Sequence, residues 1–285
     1  MNSGPGVLYV LATPLGNLDD LSMRAGKILA AVDLVLCEDT RRSLKLLNHL
    51  GLRKRLSSFN EHNQAEKIPG LLARLGSGEN LALLSDAGTP ALSDPGHMLV
   101  KACHEKGIKV VPIPGPSALT AALSVSGIKA ERFLFLGFLP AKSSERKKIL
   151  ETYKSFPESL VVFEAPHRLA QAAEDLLAIF GDREVCICRE LTKVFEQVSL
   201  TTLGKLSDEM KNADVRGEIT LVIAGAGNLE ASAISDSELE ELVRAGLGRG
   251  ISLKAVAREL SQETGLSRNL VYRKALEIKN RRGNS

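Results

Sequence analysis

A chain of 285 residues, 44% hydrophobic and 25% charged, can bury a sizeable core and fits two compact domains better than one. Its net charge is only +3, its N-terminus MNSGPG carries no basic residue, and the apolar stretch 7–15 is too short to cross a bilayer, so targeting to a membrane or to secretion is not expected and a cytoplasmic location is. Cys37, Cys103, Cys186 and Cys188 show no C-x-x-C spacing, which excludes a disulfide scaffold and reads as four buried thiols.

The first strands announce themselves as short β-branched runs: VLYVL from 7, LVLC from 34, LALLS from 81 and KVVPI from 109. Stretches of helical period separate them, the pattern of βαβ crossovers in a mainly parallel sheet. Each run then breaks into glycine, proline or acid, as TPLGN, EDTR, DAGTP and PGPS. Those breaks fall at strand C-termini, where open α/β sheets bind ligands. The densest proline stretch, 112–116, places a domain boundary that leaves 1–114 as an N-terminal α/β domain.

Next come a helix over 117–126, a strand over 133–138, a charged helix over 143–153, a strand over 160–165 and a helix over 166–180. The runs VCICRE, EQVSLTTL and ITLVIAG follow with little helix between them, which favours antiparallel pairing and a mixed sheet in a second α/β domain over 115–227. Residues 228–241 are acidic and rich in small side chains, so 228–248 reads as a linker and a helix.

Residues 249–285 hold nine basic and three acidic side chains, a net +6 that leaves the other 248 residues at −3. Within them Leu253, Val256, Ala257 and Leu260, then Leu266, Leu270, Val271, Ala275 and Ile278, flank a turn at Gly265. With Ser267 as the cap of the second helix, and Arg268, Asn269, Arg273 and Lys274 exposed on it, this is helix-turn-helix patterning. Such a basic module suits a nucleic-acid backbone.

Several chemistries lack their signature. No phosphate-binding glycine loop, no G-x-G-x-x-G after a strand and no G-x-S-x-G elbow occurs. The five histidines form no H-x-x-x-H or H-x-H pair, and no metal is expected.

What remains is a set of seven loops: ATPLGN, CEDTR, LLSDAGTPALSDPG, PIPGPSA, FEAPHR, RELTK and GEITLVI. In this order and spacing they resemble the tetrapyrrole (corrin/porphyrin) methylase superfamily, and specifically its bacterial branch that methylates a cytidine ribose 2'-oxygen in 16S ribosomal RNA. The resemblance covers residues 7 to about 225. Ser85 and Ala87 stand where the superfamily more often has Gly and Pro, a variation the RNA branch carries, and Asp86 keeps the acid.

That resemblance implies two α/β domains with a cleft between them for S-adenosylmethionine, a dimer, and 16S rRNA in the small ribosomal subunit as partner. The cofactor has no phosphate, so its pocket calls for apolar walls and backbone hydrogen bonds rather than a cationic loop. Gly16 and Gly88 permit close backbone approach, Pro14, Leu15, Pro90, Ala118, Phe163 and Leu191 offer apolar walls, and Thr89, Ser117 and Thr220 offer hydroxyls. Asp86 is placed to accept from the cofactor's amino-acid end or ribose, and the resemblance adds Ala87, Glu164, Gly217 and Glu218 to the binding set.

Methyl transfer chiefly needs placement of the attacking oxygen, and a base is optional. Asp39, Asp94, His167 and Glu190 are the candidates, with no choice among them from sequence. Arg41, Arg168 and Lys193 read as RNA contacts, joined by Lys142, Arg146, Lys147 and Lys148 on the charged helix and by Arg268, Arg273 and Lys274 at the end of the chain. Two other readings remain: a small-molecule tetrapyrrole methyltransferase, and a metabolite-sensing DNA-binding regulator.

Overall fold

A computed structural model describes residues 4–211, 213, 215–226, 236–249, 251–264 and 268–283. The chain forms two compact units. The first runs to Ser126 and takes back Cys188–Val198 and Gly217–Thr220; the second holds the rest. The helix after the proline stretch therefore clusters with the first unit, beyond the boundary expected at 114.

The first unit is built on β1 (Val7–Leu11), β2 (Leu34–Cys37), β3 (Leu56–Ser58), β4 (Leu81–Leu84) and β5 (Lys109–Ile113). Their order is β3-β2-β4-β1-β5, and every pairing is parallel. The crossovers are α1 (Met23–Ala31), α2 (Thr40–His49), α3 (Gln64–Gly76) and α4 (His97–Glu105), with α5 (Ala118–Val125) after β5.

The two-residue period of the strands feeds two cores. Leu34, Leu36, Leu81 and Leu83 pack with Leu71, Leu75 and Leu99 of α3 and α4, while Val35, Cys37, Ala82 and Leu84 pack with Ala25, Leu29, Leu46 and Leu47 of α1 and α2. Helices on both faces explain why LVLC and LALL are apolar at every position and fully buried. The three-residue strand LSS at β3 has no apolar run to mark it, and sequence reading passed over it.

The second sheet contains β6 (Phe133–Phe138), β7 (Ser159–Glu164), β8 (Glu184–Arg189), β9 (Gln197–Thr202) and β10 (Ile219–Ile223) in the order β6-β7-β10-β8-β9. It is mixed, as the close spacing of its later runs implied; β6 and β7 are parallel, with a bulge between Phe135 and Gly137. Helices α6 (Ser143–Thr152) and α7 (Leu169–Phe180) accompany it. A further helix, α8 (Leu203–Met210), fills the span expected to hold little helix, and Thr202 caps it by accepting from the Lys205 N–H.

The chain ends in three helices, Asp236–Gly248, Leu253–Thr264 and Arg268–Gly283. Val256, Ala257, Leu260, Val271, Ala275 and Ile278 are buried as the periodicity predicts, and Leu239 and Val243 of the first helix complete the cluster. Leu253 is partly buried and Leu270, also an expected core position, is 40% exposed. The helix beginning at Asp236 shortens the expected linker; residues 228–235, Gly265, Leu266, Ser267 and the side chain of Asn269 lie outside the described residues. All four cysteines are buried and outside any disulfide, and burial pushes the thiol of Cys103 up to about 11.

Candidate functional site

The C-terminal ends of β1 and β4 are tied together before their loops diverge. Thr13 and Gly88 exchange two backbone hydrogen bonds of 2.8 and 2.9 Å, the Thr13 hydroxyl donates to the Ser85 carbonyl at 3.1 Å, and the Ser85 hydroxyl donates to the Gly88 carbonyl at 3.0 Å. Gly88 sits at φ +80°, where a side chain would be strained, and a Cβ there would approach Leu15 Cδ2 to 3.3 Å. The two loops are thereby held at van der Waals separation.

Beside this junction opens a cavity of about 410 Å3. Its walls are Thr13 to Gly16 and Leu18 from the first loop, Ser85 to Ala87 from the second, Arg42, Ser43, Lys45 and Leu46 from α2, and Lys193 with Glu218. Ser43, Leu46 and Leu47 are the buried positions of this helix, and Arg42, one 100° step from Ser43, flanks them at the rim of the core.

The segment 190–193 crosses Gly16. Lys193 Nζ lies 2.8 Å from Glu190 Oε1 and 3.5 Å from Glu218 Oε2, and a Cβ on Gly16 would overlap the Lys193 stem. Glu190 and Thr192 both adopt left-handed backbone, at φ +53° and +67°. The strap is held by Glu190 Oε1, which accepts from the Glu218 N–H at 2.9 Å, and by Thr192 Oγ1, which accepts from the Asn17 N–H at 3.2 Å. Burial alone pulls the Glu190 carboxyl upward; the Lys193 ammonium and the Glu218 N–H outweigh it and keep it below the usual glutamate range.

Four carboxyls gather on the other side. Asp86 Oδ1 accepts from the Asp39 N–H at 3.0 Å, and Asp86 Oδ2 is 3.6 Å from Arg42. Asp94 is pushed up to about 7, by burial first and then by the charges of Glu38 and Asp86, with a hydrogen bond to Ser85 acting against them. Glu38 is raised too, by burial and then by Asp86 and Glu61. Asp39 goes the other way, down to about 2, because the Arg41 side chain and N–H both donate to it.

Residues 7–207 match the tetrapyrrole (corrin/porphyrin) methylases. The chain belongs to this family. It is 44% identical over 97% of its length to a Mesorhizobium japonicum protein, and 41% identical over 97% to one from Escherichia coli O157:H7, covering 93% and 96% of those relatives. Both are named "Ribosomal RNA small subunit methyltransferase I". The fold is similar to diphthine synthase, with TM-score 0.62, 19% identity and coverage of 77% of this chain and 90% of that one. It is also similar to a Thermus thermophilus uroporphyrin-III C-methyl transferase complexed with S-adenyl homocysteine, with TM-score 0.57, 19% identity and coverage of 79% and 100%.

For this tetrapyrrole methylase, the α/β class read from sequence and the family implied by its seven loops are both borne out. The cavity collects Pro14, Leu15, Gly16, Asp86, Ala87, Lys193 and Glu218 from the expected site set. Gly88 lies in the bridge, the Thr89 hydroxyl donates to the Pro116 carbonyl, Pro90 is buried behind it and Ser117 is the N-cap residue of α5, with Ala118 its first residue. Leu191 is half-buried in the strap and Thr220 is buried in β10. Gly217, at φ +92°, leaves room for the Glu190 carboxylate. In the second unit, Phe163 packs edge-on against Phe135 and Phe138, and His167 is exposed on the turn Pro166–Arg168.

Two of the expected RNA contacts, Arg146 and Arg168, are placed otherwise by the structure. Arg146 is no RNA contact: it is fully buried, paired with Asp175 at 2.5 Å and donating to the carbonyls of Pro140 and Ala141. Arg168 donates to the Leu139 carbonyl and pairs with Glu164 at 3.1 Å; the Glu164 carboxyl, raised by burial, also accepts from the Ala165 N–H, so both side chains hold the FEAPHR turn together. Arg41 is 87% exposed and locked to Asp39, and Lys193 is neutralised twice. Beside Lys193, the cavity wall carries two cations that sequence reading missed, Arg42 and Lys45. Part of the signal was present in TRRSLKLL: position 42 falls next to the buried stripe of 43, 46 and 47, whereas 41 does not, and the helical period does not single out 45.

Proposed function

We propose that this chain is an S-adenosylmethionine-dependent methyltransferase acting on the ribose 2'-hydroxyl of a cytidine in small-subunit ribosomal RNA. What carries the reading is the 41–44% identity along 97% of the chain to proteins named for that RNA subunit. The site chemistry agrees with it. The Gly88 turn forms a cradle that a Cβ would fill, facing Leu15, Pro116 and Ser117, which suits a phosphate-free cofactor held by apolar walls and backbone groups.

Bound there, S-adenosylmethionine supplies an electrophilic methyl on a good leaving group. The protein's task is then to orient the ribose and take its proton. Of the four candidate bases, Asp39 is held acidic by Arg41, Glu190 is committed to Lys193, and His167 is exposed in the second unit. Asp94, raised to about 7 and hydrogen-bonded to the cavity residue Ser85, is the one poised to accept a proton near neutrality. We assign it that role, with Asp86 holding the cofactor's polar end.

Residues 1–114 and 115–227 would form the catalytic body, 228–248 a linker and helix, and 249–285 the RNA-docking module. Arg268 and Arg273 are exposed and Lys274 half-buried on the last helix, while Lys142, Lys147 and Lys148 are exposed on α6. A homodimer is supported by Val194 and Phe195, 94% and 75% exposed, next to the edge strand β9. Among the described residues no helix is long and apolar enough to cross a membrane; a cytoplasmic location follows from the substrate.

Calorimetry with S-adenosylhomocysteine tests the cofactor assignment. Binding should raise the melting temperature with the logarithm of ligand concentration, and Asp86→Ala should blunt the shift. A wild-type chain that binds neither the cofactor nor its product would overturn the assignment.

A further inference from the structure

The family's cofactor loops and the cavity overlap only in part. Thr13 to Gly16 and Ser85 to Ala87 line the cavity, but Thr89, Pro90, Ser117 and Ala118 do not. The cavity's remaining wall is α2, which presents Arg42 and Lys45 one helical turn apart. A sulfonium cofactor gains nothing from two cations, whereas an anionic ligand beside it does.

The other charges around the cavity are already spoken for. Lys193 is balanced by Glu190 and Glu218, and Arg41 points away to pair with Asp39. Arg42 has its nearest charge at Asp86, 3.6 Å away, with Glu38 and Asp39 also in electrostatic reach, and remains 57% exposed; Lys45 makes no ion pair among the described residues. Between these cations and the loops, Pro14, Leu15, Leu18 and Leu46 supply an apolar floor. A volume of about 410 Å3 has room for one nucleotide, not for a paired helix. No aromatic ring lines it, so a base entering there is held without a stacking platform.

We propose that Arg42 and Lys45 grip the phosphodiester flanking the target nucleotide, making the α2 wall the RNA-positioning half of the site. This rests on the RNA-methyltransferase reading above. Anchoring the phosphate on α2 would place the adjoining ribose against residues 13–16 and 85–87, which the cavity shares with the cofactor loops. Orientation of the hydroxyl then comes from the backbone of the substrate, since the hydroxyl itself is common to every nucleotide.

The test uses the full chain with Lys45→Ala, Arg42→Ala and Lys45→Arg, and with Lys101→Ala on the outer face of α4 as a surface control, that side chain being 78% exposed. KM for small-subunit RNA should rise about five- to tenfold for each alanine variant with kcat changed less than about twofold, while Lys45→Arg stays close to wild type. The slope of log affinity against log salt should fall by about 0.7–0.9 for each lost contact. Cofactor affinity should not move in Lys45→Ala, and Arg42→Ala, which frees Asp86 of its 3.6 Å partner, should change it far less than it changes the KM for RNA. If wild type methylates RNA but both alanine variants keep its KM and salt slope, the proposal is wrong and the RNA reading stands. Loss of cofactor affinity with RNA binding intact would assign the two cations to the cofactor's carboxylate instead and equally overturn it. A wild type that methylates no RNA removes both.

Discussion

Lys193 reaches across Gly16 to place its ammonium 2.8 Å from Glu190 Oε1, so that one glycine and one ion pair together decide where the edge of the cavity runs. Substituting Gly16→Ala forces the Lys193 stem aside. Because the nearest atom is Cγ, at the root of that stem, the strap itself must shift, so stability should fall by about 1–3 kcal/mol while kcat/KM should drop about tenfold. Combining Gly16→Ala with Lys193→Ala should recover part of the loss, a coupling of at least about 0.5 kcal/mol in a double-mutant cycle. Additive losses would show that the contact has no bearing on the site.

Gly88→Ala meets two obstacles at once, a backbone at φ +80° and Leu15 Cδ2 at 3.3 Å from the new methyl. We expect a cost of about 1–2 kcal/mol in denaturant unfolding and weaker S-adenosylhomocysteine binding by calorimetry. Unchanged values for both would remove the cradle from the account.

Asp94 gives the molecule a pH signature. Its carboxyl rises from 3.8 to about 7 on folding, so the folded state binds that proton more tightly than the unfolded one. The resulting stabilisation is complete below pH 3.8 and is lost as pH rises through about 7. Asp94→Asn should therefore gain on the wild type at pH 8 relative to pH 5, by at least about 1 kcal/mol after allowance for partial exposure. Methyl transfer by the variant should fall, and the rise of wild-type kcat near neutral pH should disappear. A variant whose rate follows the same pH curve would exclude Asp94 as the base.

Arg146 and Lys148, two residues apart, should behave oppositely. Arg146→Ala strands Asp175 in the interior and should cost about 3 kcal/mol of unfolding free energy, softened by Lys147 at 3.2 Å and the Ser143 hydroxyl at 3.0 Å. Lys148→Ala, on the exposed side, should cost less than about 0.5 kcal/mol. Equal costs would contradict the burial of the Arg146–Asp175 pair.

This contrast marks where sequence legibility ends. LVLC and LALL could be read as central parallel strands because a strand covered on both faces has no polar position. The loops after them could be read as site loops because glycine, proline and acid interrupt such strands at their C-termini. A charged side chain, in contrast, does not disclose its partner. In SSERKKIL, Arg146 looks like its neighbours Lys147 and Lys148, and only the tertiary pairing with Asp175, distant in sequence, buries it. Likewise, Arg41 and Arg42 are adjacent and identical, and the 100° step of the helix sends one to Asp39 and the other to the cavity. The β3 strand escaped notice because LSS carries too few apolar positions to set a period, and α8, although Leu203, Leu206 and Met210 stand at helical spacing, because Leu203 reads as the end of the strand run EQVSLTTL.

The central claim is tested most directly by labelled methyl transfer from S-adenosylmethionine to assembled small subunits, naked 16S RNA, transfer RNA and free cytidine, followed by nuclease digestion and mapping of the label. The account predicts label on a cytidine 2'-oxygen at one site in small-subunit RNA, greatest in assembled subunits, with free cytidine inert because a lone nucleoside offers Arg42 and Lys45 no phosphodiester. Label on a base, or equal transfer to free cytidine, would contradict it.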